Sequence, residues 1–192
     1  MRVLSLVTAL LLLAGCAGCS SGAKSGAAQP SFAGSGFAAC PAAVGKPPGS
    51  SPLADLPTLS CMDSSGSKVA LGAPTGRPMV VNLWGSWCPP CGKELPAFVA
   101  LSATAGDRLT VLGVDTGDGA TNAVAAAREA DVKFANVYDR DERVRKALKV
   151  TALPATAFVT GGGEVAYVYQ GTPLTEAALA GLVRQHLGVV VK

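Results

Sequence analysis

From about residue 58 onward, short apolar runs closed by glycine, proline or charged clusters alternate with segments whose apolar residues recur every three or four positions. Met79-Val80-Val81-Asn82-Leu83 has the length and β-branched content of a buried strand. It leads through Trp84-Gly85-Ser86-Trp87 into a helix predicted over residues 88–103. Residues 109–115 predict a second strand ending in a Gly/Asp loop, 121–130 an alanine-rich helix, 136–138 a short strand and 142–148 a charged helical turn. Residues 155–159 and 165–170 predict a hairpin through Gly161-Gly162-Gly163, and 175–187 a closing helix. Ahead of them, 58–62 and 68–71 form a leading hairpin turned at Ser64-Ser65-Gly66. Such alternation predicts an α/β architecture with helices on both faces of a central sheet.

The N-terminus has a different pattern. Met1-Arg2 is followed by a mostly apolar run over 3–13, too short to span a bilayer but right for a signal peptide. It ends in Leu13-Ala14-Gly15-Cys16, which resembles the bacterial lipobox. Residues 1–15 then form a lipoprotein signal peptide, and Cys16 takes the diacylglycerol once the leader is cleaved. The alternative is an ordinary secretory signal with small residues near the cut. Cys19 is the weaker acceptor, because Cys16 stands three places before it where an aliphatic residue is wanted. Residues 16–39 are rich in Gly, Ala and Ser and predict a flexible tether, reaching roughly 25–30 Å. A single domain over 40–192 is expected to follow. The protein is thereby placed on the extracytoplasmic side of a bacterial cell membrane, held by acyl chains.

Charge changes little. With 16 basic and 13 acidic residues the chain has no nucleic-acid footprint. Arg140, Arg143, Arg145 and Lys146 cluster, but Asp139, Asp141 and Glu142 interleave with them, as on a solvated helix face. Zinc is disfavoured: a structural site wants four ligands, and here, apart from Cys16 and Cys19 at the lipobox, one Cys-x-x-Cys pair faces a single histidine, His186, which reads as a plain residue of the last helix. No metal and no cofactor is expected.

The chemistry lies in Cys88-Pro89-Pro90-Cys91. Two intervening residues bring the sulfurs together across one helical turn, where they can switch between dithiol and disulfide. Cys88, at the helix start, meets unpaired backbone N–H groups that favour its thiolate, lowering its pKa from ~8.5 to about 6–7.5. It is the expected nucleophile, and Cys91, deeper in the helix, the resolving thiol. Pro89 and Pro90 fit the first turn, where a missing N–H costs little. Trp84 faces the core or flanks the pair; Trp87 shields it and offers an apolar contact.

This segment resembles the active site of thioredoxin-fold proteins, most of all the membrane-tethered TlpA/ResA/DsbE group. Three further features match: Glu94 three residues after Cys91, Pro96, where the active-site helix bends, and Leu153-Pro154-Ala155-Thr156-Ala157-Phe158-Val159 as the cis-proline turn and its strand. The match runs from about Leu59 to the C-terminus. It implies a thioredoxin-like fold: a central mixed β-sheet flanked by helices, with an N-terminal β-hairpin and the central αβ insert of the TlpA type. It also implies a substrate groove of Trp87, Pro89, Pro90, Leu153 and Pro154. Asn82 stands where cytosolic thioredoxins carry a buried aspartate, so Glu94 becomes the candidate base for Cys91. The bland alternative for Glu94 is a solvated carboxylate paired with Lys93.

Cysteine bookkeeping leaves Cys40 and Cys61, around a Pro/Gly/Ser-rich segment, as a structural disulfide or as two idle thiols. The resemblance further implies a monomeric protein-disulfide reductant. Electrons would come from a membrane thiol carrier of the CcdA/DsbD kind, and apocytochrome c would be the favoured substrate. An oxidant or isomerase of secreted proteins would use the same residues. A non-catalytic binding lipoprotein is the reading of another class.

Overall fold

The computed structural model describes residues 30–191. The expected signal peptide, Cys16 and Cys19 lie outside the described residues. Seven strands form one mixed sheet: β1 (Leu59–Cys61), β2 (Lys68–Val69), β3 (Met79–Trp84), β4 (Thr110–Thr116), β5 (Ala135–Asp139), β6 (Ala155–Val159) and β7 (Val165–Gln170). Their spatial order is β2-β1-β5-β4-β3-β6-β7. The central strands β3, β4 and β5 run parallel, and the remaining pairings are antiparallel. The parallel crossovers carry α1 (Pro89–Ala105) and α2 (Ala120–Glu129), while α3 (Arg143–Ala147) and α4 (Glu176–Leu187) precede β6 and follow β7.

The alternation of β3 divides the core. Val80 and Trp84 join Phe98 and Leu101 of α1, Ala123 of α2, and Leu179 and Val183 of α4. Val81 and Leu83 face the other way, with Leu112, Val114, Val144 of α3, Leu53 and Leu71. Every residue of β3 is buried, as a strand covered on both faces must be.

One expectation is corrected. The tether does not extend to residue 39: Phe32 and Phe37 are buried in the α1-side core. Phe32 meets the Tyr138 ring edge-on at 5.5 Å. Ser35 Oγ donates to Met62 O at 2.8 Å, and Ala38 N to Lys133 O at 2.8 Å. Residues 30–39 form a strap on the domain, because two phenylalanines amid small residues are enough to hold ten residues of chain against a hydrophobic face. Cys40 and Cys61 are joined, with Sγ atoms 1.95 Å apart, where the strap ends and β1 closes.

Candidate active site

Cys88 is the residue that caps α1. Its backbone is extended (φ −108°, ψ 91°), and its Sγ accepts from Cys91 N at 3.3 Å. Pro89 and Pro90 fill the first two helical positions, where no N–H is required. Cys91 follows one turn later, and the two sulfurs are bonded at 2.07 Å with Cα atoms 5.3 Å apart. Cys88 retains 5% of its surface and Cys91 none, so an incoming sulfur can reach only the first.

Sheet register brings the proline turn to the same end. Leu83 pairs with Ala155, so Pro154 sits level with the last residue of β3, beside the start of α1. The Leu153–Pro154 bond is cis. Pro154 is buried, and Leu153 is half-buried against the core that holds both cysteines. Trp87 stands 49% exposed, its Nε1 donating to Thr116 O at 3.1 Å. The indole folds back over Gly85, where a Cβ would lie 2.6 Å from Trp87 Nε1, so any larger residue there would displace the ring. Trp84, by contrast, is a core residue. Its Nε1 donates to Asn136 Oδ1 at 2.9 Å across Gly113, whose missing Cβ leaves room for that amide.

Glu94 is the most consequential placement. It is 1% exposed, which excludes the solvated alternative. One oxygen accepts from Asn82 Nδ2 at 2.7 Å and the other from Leu174 N at 3.0 Å. Burial pushes its pKa from 4.5 up to about 7, against the opposing pull of the Leu174 and Asn82 hydrogen bonds. Asn82 Oδ1 is buried without a partner. Rotating that amide would let Oδ1 accept from a protonated Glu94, so Asn82 can serve either state of the acid. Glu94 lies three residues after Cys91 on the same helix face.

Several polar residues around the site escape motif reading. Asp115, the last residue but one of β4, lies opposite Trp84, fully buried, with neither carboxyl oxygen hydrogen-bonded. Burial, and next the Asp118 carboxylate, push its pKa up to about 9. Asp118, 8% exposed, accepts from Ser86 N, from Ser86 Oγ at 2.9 Å and from Gly119 N at 2.7 Å. The strand period places Asp115 on the face of Val111 and Gly113, so its position was readable; its isolation from partners was not. Outside the site, His186 stacks on Tyr167 at 4.0 Å. Within the basic cluster Arg143 pairs with Asp141 and Arg145 with Glu142. Among the described residues no group of three or more His, Cys, Asp and Glu could hold a metal ion.

Residues 52–168 match the AhpC/TSA family. The thiol-disulfide oxidoreductase ResA of Bacillus subtilis (strain 168) is 29% identical over 126 residues, 65% of this chain and 70% of its own. The thiol:disulfide interchange protein DsbE homolog of Paracoccus denitrificans (strain Pd 1222) is 37% identical over 99 residues, 50% of this chain and 52% of its own. Among solved structures, MTB DsbF aligns with a TM-score of 0.59 at 27% identity, covering 67% of this chain and 92% of that one. A secreted Mycobacterium tuberculosis disulfide oxidoreductase homologous to E. coli DsbE aligns at 0.57 and 23%, covering 67% and 94%. A seven-stranded mixed sheet, a cysteine pair capping α1 and a cis-proline turn beside it agree with these likenesses: the chain has a thioredoxin-like fold and belongs to the AhpC/TSA family.

Proposed function

We propose that this protein is a thiol–disulfide oxidoreductase that reduces protein disulfides outside the cytoplasm, tethered to the membrane through Cys16. The observation that carries the reading is the Cys88–Cys91 pair on the N-terminus of α1, one sulfur reachable and the other sealed, above a buried acid with a pKa near neutrality.

The reaction starts from the dithiol. The Cys88 thiolate attacks one sulfur of the substrate disulfide; the S–S bond breaks, and the first substrate sulfur leaves as a thiolate that takes a proton from solvent. The Cys91 thiol gives its proton to the Glu94 carboxylate and attacks Cys88 Sγ. The mixed disulfide breaks, the second substrate sulfur leaves as a thiolate that takes a proton from solvent, Glu94 returns its proton to solvent, and the enzyme is left with the Cys88–Cys91 bond. Two electrons pass from the enzyme to the substrate, the protons of the two product thiols come from solvent, and no prosthetic group is required. Backbone beside Pro154 can pair with an extended substrate chain, with Trp87, Pro89, Pro90 and Leu153 providing apolar contact.

Direction, substrate and donor belong to this proposal. The Cys-Pro-Pro-Cys gap holds no histidine to stabilise the thiolate, which favours a reductant. The likeness to ResA and to a DsbE homolog supports apocytochrome c as substrate and a CcdA/DsbD-type carrier as donor. The lipobox-like Leu13-Ala14-Gly15-Cys16 supports the anchor; among the described residues no helix is long and apolar enough to cross a membrane.

The test is capture. A Cys91→Ala variant expressed in cells accumulates mixed disulfides through Cys88, and reducible adducts containing apocytochrome c and a membrane thiol carrier are expected. Adducts absent with Cys91→Ala, or equally abundant with Cys88→Ser, would falsify the reading.

A further inference from the structure

We infer that Asp118 is a positioning residue for Cys88: its buried carboxylate ties the loop after β4 to the loop after β3, and so sets the Cys88 thiol on the N-terminus of α1. This rests on the exchange reaction proposed above and adds a residue to it.

Two loops meet at this end of the sheet. The first, 85–88, delivers Cys88 to the helix. It contains one internal backbone bond, Cys88 N to Gly85 O at 3.1 Å. A turn held by one such bond and flanked by glycine does not fix a side chain by itself. Its other anchors come from the end of β4 and the loop after it: Ser86 N and Ser86 Oγ donate to Asp118, and Trp87 Nε1 donates to Thr116 O. Ser86 is two residues before Cys88, so the carboxylate grips the middle of the turn.

The second loop is itself immobilised. Tyr138 Oη donates to Asp118 O at 2.8 Å, and Gly117 N donates to Asp139 O at 3.1 Å. Gly117 has φ +64°, a conformation that glycine adopts freely. Asp118 then turns back on itself, accepting from Gly119 N as well. Neither carboxyl oxygen of Asp115 has a partner, so both Ser86 donors fall to Asp118. Charge-assisted bonds to a backbone N–H and a hydroxyl are short and directional, which suits a residue whose task is placement. Asp118 makes no hydrogen bond to either cysteine, and its hold on the turn that carries Cys88 is through Ser86.

The thiolate is stabilised where Cys88 Sγ meets the unpaired N–H groups of the helix start. A loop freed from Asp118 spreads that sulfur over other positions and weakens the stabilisation. Removing the carboxylate also removes a negative charge, which by itself would lower the thiol pKa. The two effects have opposite signs, so the direction of the change identifies the role.

The experiment measures the alkylation rate of Cys88 against pH in the full reduced chain, with the modified cysteine identified by mass. The parent is compared with Asp118→Ala, Asp118→Asn and Ser86→Ala. The expected midpoint for Asp118→Ala lies about one pH unit above the parent, roughly tenfold less thiolate at a given pH below it. Asp118→Asn, which keeps one acceptor oxygen, restores part of the shift. Ser86→Ala, which keeps only the backbone bond, shows a smaller rise. A midpoint for Asp118→Ala at or below the parent's overturns the inference. Should Asp118→Ala fail to fold by circular dichroism, the milder pair decides by the same criterion. A parent midpoint at the ordinary ~8.5 of a free thiol overturns the exchange reading itself, and with it this one; a low parent midpoint shared by all variants overturns only the role of Asp118.

Discussion

Glu94→Gln removes one ionisation from the core while conserving volume. Its effect on stability follows from linkage. A carboxyl with a pKa of 4.5 in the unfolded chain and about 7 in the folded one binds more protons when folded. Stability from this group is therefore fully present below pH 4.5, declines as pH rises towards 7, and is lost above it. The difference of about 2.5 in pKa corresponds to roughly 3 kcal/mol, at 1.36 kcal/mol per pKa unit. Glutamine pays no such penalty. Its amide can accept from Leu174 N and donate to the otherwise unpartnered Asn82 Oδ1. Urea unfolding of the oxidised parent and variant across pH 4–8 should give similar stabilities at pH 4. At pH 8 the variant should be more stable by about 2–3 kcal/mol, an increase of ~1–2 M in midpoint for a slope of 1–3 kcal/mol per M. Asp115 imposes its own decline as pH rises from 3.8 towards about 9, but it is present in both proteins and cancels in the difference. Activity should move the opposite way. Loss of the proton acceptor slows resolution of the mixed disulfide by about 10²-fold or more and abolishes the inflection near pH 7 in its rate. Stability curves that stay parallel from pH 4 to 8 would refute the argument, because the buried acid would then titrate like an exposed one.

Cys40→Ala combined with Cys61→Ala opens a loop of sequence separation 21 and should cost about 3 kcal/mol, read as a lower guanidinium midpoint, with Cys88 still reactive to alkylation. Gly113→Ala places a Cβ where the Asn136 amide sits; it should lose the Trp84–Asn136 bond and about 2–4 kcal/mol, visible as a Tm decrease and a changed Trp fluorescence spectrum. Phe32→Ala should cost about 3 kcal/mol by thermal unfolding, although it lies in a segment of tether-like composition; a loss under 0.5 kcal/mol would return residues 30–39 to the tether.

What was legible in the chain was local. The hairpin of β6 and β7 emerges with the boundaries expected, because two strand-like runs flank three glycines and nothing distant is needed to define them. Cys88 and Cys91 were legible for the same reason: their spacing, the prolines between them and the strand before them fix both the turn and the cap. Glu94 was only half legible. Helix periodicity puts it on the face of Cys91, but its burial depends on Asn82 twelve residues earlier and on a backbone N–H 80 residues later. The strap escapes composition because Phe32 finds Tyr138 and Ala38 N finds Lys133 O about a hundred residues away, while composition averages the phenylalanines into the surrounding small residues.

The division has a chemical consequence. The motif supplies the sulfurs and the helix start, whereas the groups that govern protons and placement come from elsewhere: Asn82 from β3, Leu174 N from the turn before α4, Asp115 from β4 and Asp118 from the loop behind it. An acid is worth the same in any sequence, but its pKa belongs to the cavity around it. Residues 84–91 moved into another scaffold of this fold should therefore still form the Cys88–Cys91 bond. Their alkylation midpoint and the pH dependence of resolution should follow the host, since neither the Asp118 tie nor the Asn82–Glu94–Leu174 seat travels with the segment. If the graft instead carried its donor's pH profile, the motif alone would set reactivity, and the buried acids would be incidental to it.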